Sequence, residues 1–253
     1  MKNKLLLPAL LALGSFLQPA FAQVSSEALG TVRYEVRYQL KGIDTKVADA
    51  TVSLKEHSSA DIGRALHAQA VIRATSVFRL FMNAEYVADS YLFLDGQRPY
   101  YYMNPIKKGG KTGKFECSYD KDTKTITMLF LKPSADSVRK TFPLDGRTMD
   151  LLSLLQYVRF HSLTAGKSEA MHVLKAGFSV PATLTCRGVD TERFPGRKTE
   201  RFLLDLKEQG LMENGSGNRI LVWRSTGSDR QLVGMEVNLG SGVMTVSIKE
   251  LEI

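Results

Sequence analysis

Apolar side chains recur at every second position along much of the chain. Between residues 31 and 40, Val32, Tyr34, Val36, Tyr38 and Leu40 alternate with Arg33, Glu35, Arg37 and Gln39. Successive side chains of a strand point to opposite faces, so this spacing predicts a strand with one buried and one wet face. Comparable runs cover 48–54, 66–72, 86–94, 100–103, 115–119, 125–131 and 138–142. They resume at 171–174, 180–186, 201–206, 220–223, 232–239 and 243–251. Turn signals separate the runs, among them Lys41-Gly42, Asp95-Gly96, Gly109-Gly110, Asn214-Gly215 and Gly240-Ser241-Gly242. Parallel pairs need long crossovers, so strands this close together predict antiparallel hairpins.

Two segments break the alternation. Residues 76–83 are rich in apolar side chains and predict one or two helical turns. Residues 149–161 are more decisive: Leu151, Leu154, Leu155 and Val158 fall at i, i+3, i+4 and i+7, and Met149, Leu152 and Phe160 widen the stripe beyond half the circumference. Thr148 is placed to cap this helix, Asp150 suits the positive end of its dipole, and Arg159 and His161 suit the negative end. A helix so apolar must be buried on most sides. The expected fold class is mostly β: a single-domain antiparallel, strongly curved sheet or open barrel, enclosing or capped by one buried helix near 149–161. No repeat and no Pro-, Gly- or Ser-rich linker divides the chain.

The first residues add a location. Lys2 and Lys4 precede a mostly apolar run from Leu5 to Leu17, and Ala20-Phe21-Ala22 supplies a small-x-small ending. Those are the parts of a secretory signal peptide cleaved after Ala22, leaving 23–253 as one mature domain. No cysteine follows the cleavage point to take a lipid anchor, and no later run approaches the length of a membrane-spanning helix. Export to the periplasm is therefore expected. In an oxidising compartment Cys117 and Cys186 can form a disulfide, or they can remain as two small buried thiols.

Composition and motifs narrow the chemistry. The chain has 253 residues, a net charge of +8 and 43% hydrophobic residues, which excludes disorder and a disulfide-dense miniprotein. Within the segment 105–114, Gly110-Lys111-Thr112 mimics the end of a phosphate-binding P-loop. Pro105 stands where that motif needs glycine, and a strand pattern rather than a helix follows, so it reads as a basic hairpin turn. There is no Gly-x-Ser-x-Gly elbow, and His57, His67, His161 and His172 show no metal-ligand spacing. No catalytic, cofactor or metal residue is assigned on these grounds. Mild positive charge on an exported protein argues against a nucleic-acid partner.

Several segments resemble one family in matching order along nearly the whole mature chain. They are the opening 31–38, the helix Asp150-Leu151-Leu152-Ser153 running to Arg159, and the tail Trp223-Arg224-Ser225, Asp229-Arg230 and 233–241. Together they are similar to the bacterial domain-of-unknown-function family 3108. Leu151 and Leu232 depart from it, standing where proline is expected. The resemblance implies an exported, β-rich envelope protein and brings no catalytic residue. It does single out Asp150, Ser153, Arg159, Trp223, Ser225 and Asp229 as positions of interest. The leading expectation is a non-catalytic periplasmic protein that binds a hydrophobic or envelope-derived ligand such as a lipid or glycan. The alternatives are an envelope scaffold or assembly factor working through protein contacts, and a carbohydrate-active enzyme without a recognised motif. Peripheral contact with a membrane surface remains open to any of these.

Overall fold

The computed structural model describes residues 29–59, 63–80, 85–93, 99–108, 111–120, 123–131, 137–143, 147–175, 178–206 and 218–252. The export segment 1–22 and the turn residues Asp95, Gly96, Gly109, Gly110, Asn214 and Gly215 lie outside them.

Eight strands come first: β1 (Gly30–Leu40), β2 (Ile43–Ser59), β3 (Gly63–Ala74), β4 (Glu85–Phe93), β5 (Pro99–Lys108), β6 (Lys111–Asp120), β7 (Thr125–Leu131) and β8 (Val138–Pro143). A three-residue strand, β9 (Thr148–Asp150), leads directly into the helix α1 (Leu151–Phe160). Six more strands follow: β10 (Ser168–Lys175), β11 (Phe178–Asp190), β12 (Thr199–Leu206), β13 (Arg219–Ser225), β14 (Leu232–Asn238) and β15 (Val243–Glu252).

All of them join one sheet in the order β8-β7-β6-β5-β4-β3-β2-β1-β15-β14-β13-β12-β11-β10-β9. Apart from β8 and β9, which are the two ends of the sheet, strands consecutive in sequence pair with each other, and the β1–β15 pair, Val36 opposite Val246, joins the two halves. Every pairing is antiparallel except β9 with β10. That exception is what the helix requires, because a parallel pair needs a crossover and α1 supplies it.

Register shifts at Arg33/Tyr34, Val36/Arg37, Cys186/Gly188 and Trp223/Arg224 mark bulges, which bend a strand and increase its twist. The sheet curls into a nearly closed barrel with a seam. Side chains meet across the seam: Leu174 of β10 packs with Cys117 of β6, Ile126 and Met128 of β7, and Phe142 of β8. The β8 edge is exposed and carries Arg139 and Lys140, charges that discourage another strand from pairing there.

Helix α1 lies inside the curl. Leu152 and Phe160 pack with Leu54, Leu66, Ala68, Ala88 and Leu92 on one side. Leu154, Tyr157 and Val158 join Phe202, Leu204 and Val222 on the other. The anticipated cap moves by two residues: Asp150, not Thr148, caps the helix, accepting the Ser153 amide, while Thr148 is buried within β9. Of the segment 76–83, the described residues 76–80 contain one 3-10 turn, Phe78–Leu80, and 81–83 lie outside them. No helix among the described residues is long and apolar enough to cross a membrane.

Candidate ligand-binding site

Between α1 and the inner face of the sheet lies a cavity of about 350 Å³ with an almost wholly apolar lining. Its size follows from residue choice. Four alanines on neighbouring strands, Ala48 and Ala50 of β2, Ala70 of β3 and Ala88 of β4, line it with nothing larger than a methyl group. Opposite them the two helical residues that are not fully buried, Leu151 and Leu155, lie one turn apart and line the same space. Met235 and Met244 contribute adaptable thioether side chains. Gln156 is the one side-chain amide among the described residues of the lining.

Polar clusters clamp the helix at both ends. At its start Asp150, 1% exposed, accepts the Ser153 amide at Oδ1 (2.9 Å) and the Ser90 hydroxyl at Oδ2 (2.7 Å). The Ser90 and Ser153 hydroxyls also bond to each other. This fastens α1 to β4, and all three side chains are sealed from solvent. Burial drives the Asp150 carboxyl above its usual range, against the hydrogen bonds that lower it. Burial, and then the negative charge of Asp150, push the Cys117 thiol up as well, which keeps it protonated and unreactive.

A carboxyl with a raised value favours the fold below the ordinary carboxyl range and loses that advantage as pH rises through the raised value. Asp150→Asn keeps a capping oxygen and removes the titration. Relative to the parent it should gain stability in urea denaturation as pH rises from the ordinary carboxyl range through the raised value. Asp150→Ala, which loses the cap, should cost about 1–2 kcal/mol. A parent-minus-Asn difference that stays flat with pH would contradict a carboxyl raised by burial.

At the other end Arg159 is buried on the protein side of Gln156. Its guanidinium donates to Gln231 Oε1 (2.6 Å), to Gln156 Oε1 (3.1 Å) and to the Arg230 carbonyl (3.4 Å). Burial pulls it down to about 10, so it stays charged at neutral pH. Arg224 reaches the end of the helix from β13, donating to the carbonyls of Val158 (2.6 Å), Arg159 (3.1 Å) and His161 (2.8 Å) while pairing with Glu200. Ser225 donates to Asp229 (2.6 Å) and accepts the Gln231 amide (2.9 Å), which shapes the β13–β14 turn.

The positions singled out from sequence therefore divide. Arg159, Ser225 and Asp229 gather under the end of α1, Asp150 and Ser153 hold its start, and Trp223 faces the other way. Trp223 donates to Asp190 (3.0 Å) and meets Phe194 edge-on. Cys117 and Cys186 do not meet. Each is a free, buried thiol, Cys186 in one apolar cluster and Cys117 in another. His57 and His67, on the consecutive strands β2 and β3, are edge-on neighbours, with Asp89 2.9 Å from His67. Among the described residues no group of three His, Cys, Asp or Glu side chains could hold a metal.

Gln156, Arg224, Ser90 and Glu200 were not singled out. An amide and an arginine inside apolar runs were the available signals, but their partners lie up to 66 residues away.

The family model described as a protein of unknown function, DUF3108, matches residues 33–247. The chain belongs to the DUF3108 family. No curated protein matches it. Among solved structures, the DUF3108 chain is similar to a β-barrel-like protein of the domain of unknown function DUF1849 from Brucella abortus. That likeness has 12% identity and a TM-score of 0.51, and covers 88% of this chain and 96% of the other. Lipoprotein LppX from Mycobacterium tuberculosis is a more distant likeness, with 16% identity, a TM-score of 0.30, and 88% and 86% of the two chains covered. The first supports the barrel-like fold of this DUF3108 protein and nothing finer.

Proposed function

We propose that this DUF3108 protein is exported and serves the cell envelope as a non-catalytic binding protein, holding an apolar ligand between α1 and the barrel wall. The observation that carries this reading is the cavity itself. Protein interiors pack densely and leave few voids larger than a water molecule, and an unfilled apolar space forfeits dispersion contacts along its walls. Here about 350 Å³ is kept open where four alanines line the wall, while both helix ends are fixed by buried polar clamps. Small-molecule sites occupy roughly 300–1,000 Å³, so this volume suits one slender apolar chain or a two-ring molecule.

The basic start and Ala-Phe-Ala ending of residues 1–22 support export. The apolar interior also favours a water-exposed barrel, since barrels that span an outer membrane turn their apolar face to lipid and keep a polar lumen.

The test is a fluorescence titration of the detergent-free mature protein with N-phenyl-1-naphthylamine. One saturable site is expected, with the probe raising the unfolding free energy by about 2.7 kcal/mol at a hundredfold excess over Kd. A linear, unsaturable signal would reject the reading.

A further inference from the structure

One buried polar atom in the cavity wall is unused. Gln156 is 1% exposed, and its side-chain nitrogen Nε2 has no hydrogen-bond partner among the described residues. The orientation of the amide is fixed by chemistry. Its oxygen accepts from the Arg159 guanidinium at 3.1 Å, and a guanidinium can only donate, so the amide cannot be turned round. The NH2 group is therefore the end left over, on a side chain that lines the cavity.

The other polar groups nearby are committed. The Tyr34 hydroxyl donates to the Leu232 carbonyl at 3.1 Å, and Gln231 Oε1 is taken by Arg159 at 2.6 Å. An unsatisfied buried donor is costly, and native interiors avoid it unless something else completes it. The positive charge of Arg159 on the amide oxygen polarises the NH2 group further, making it a better donor toward an electron-rich atom.

We infer that Gln156 is the recognition point for the polar end of the ligand, and that the ligand is a single apolar chain ending in a carbonyl-type oxygen, a fatty acid or an acyl ester. This rests on the binding function proposed above and adds the chemistry of the head. The chain lies along Leu155, Ala50 and Met244, and the acyl oxygen accepts from Gln156 Nε2. A donor-only or purely hydrocarbon molecule fits the same walls but leaves the amide unmet.

Dodecanoate and methyl dodecanoate represent the acid and the ester, and N-phenyl-1-naphthylamine, which presents no oxygen, is the control. In Gln156→Leu the affinity for the acyl ligand should fall roughly three- to tenfold more than that for the naphthylamine, the span of one net hydrogen bond. The parent protein gives an independent readout. The infrared carbonyl stretch of carbonyl-13C methyl dodecanoate should move to lower frequency on binding, relative to the ester in hexane. If acid and ester both depend on Gln156, the carbonyl is what is read; if only one does, it identifies the source. Equal loss of all three ligands in Gln156→Leu, or a bound carbonyl stretch identical to that in hexane, would overturn the inference and leave the cavity reading standing. Absence of binding by every ligand, the naphthylamine included, would instead overturn the binding function itself.

Discussion

Replacing Arg224 with methionine is expected to destabilise the protein by about 3–5 kcal/mol, the range for breaking a buried charged pair. The last carbonyls of a helix have no partner within it. Here one guanidinium, 2% exposed, supplies donors to three of them and also pairs with Glu200 across β12 and β13. Its plane lies 4.8 Å from the centre of the Phe202 ring. Methionine keeps much of the stem but donates nothing, so the carbonyls of Val158, Arg159 and His161 lose a partner together. Lysine retains the charge without the fork and should fall between. Urea unfolding followed by circular dichroism measures the change. A loss below about 1 kcal/mol for Arg224→Met would show that the helix end is satisfied in some other way.

Filling the cavity should move stability and binding in opposite directions. Ala50→Leu and Ala88→Leu together place branched side chains in the space between β2, β4 and α1. In a tightly packed interior such enlargement costs about 1–3 kcal/mol through strain. Where the space is open, cavity filling contributes about 0.5–2 kcal/mol of stability. The double variant should accordingly unfold at higher urea than the parent, while its affinity for N-phenyl-1-naphthylamine drops more than tenfold. A destabilised variant that still binds would place the probe elsewhere and mark the space as ordinary core.

The sheet was legible because period-two alternation is a local signal. Each run read from the sequence lies within or beside an observed strand, and the apolar helix lies inside the curl because its stripe leaves no face for water. β9 was not legible, since Thr148, Met149 and Asp150 are too few to show alternation and their pairing with His172, Val173 and Leu174 depends on where α1 returns the chain. The same shortness explains why the cap was expected at Thr148.

The cavity was hidden for a different reason. Ala48, Ala50, Ala70 and Ala88 each look like ordinary inward positions, and only their convergence on Leu151 and Leu155 across three strands leaves a gap. Whether inward residues fill a space depends on summed volumes from segments far apart in sequence, which no single window contains. Gln156 and Arg224 were obscured likewise. A polar residue in an apolar run is visible, but whether it is satisfied depends on residues such as Arg159, Glu200 and Gln231 that the fold brings to it.

The most direct test is to locate a bound chain. Crystals of the mature protein grown with 12-bromododecanoate, measured at the bromine absorption edge, should show one anomalous peak inside the barrel, within the walls formed by Ala50, Ala88, Leu155 and Met244. The carboxylate end should lie toward Gln156. A bromine peak only on the outer surface, or an interior with no bound chain at saturating ligand, would contradict the account.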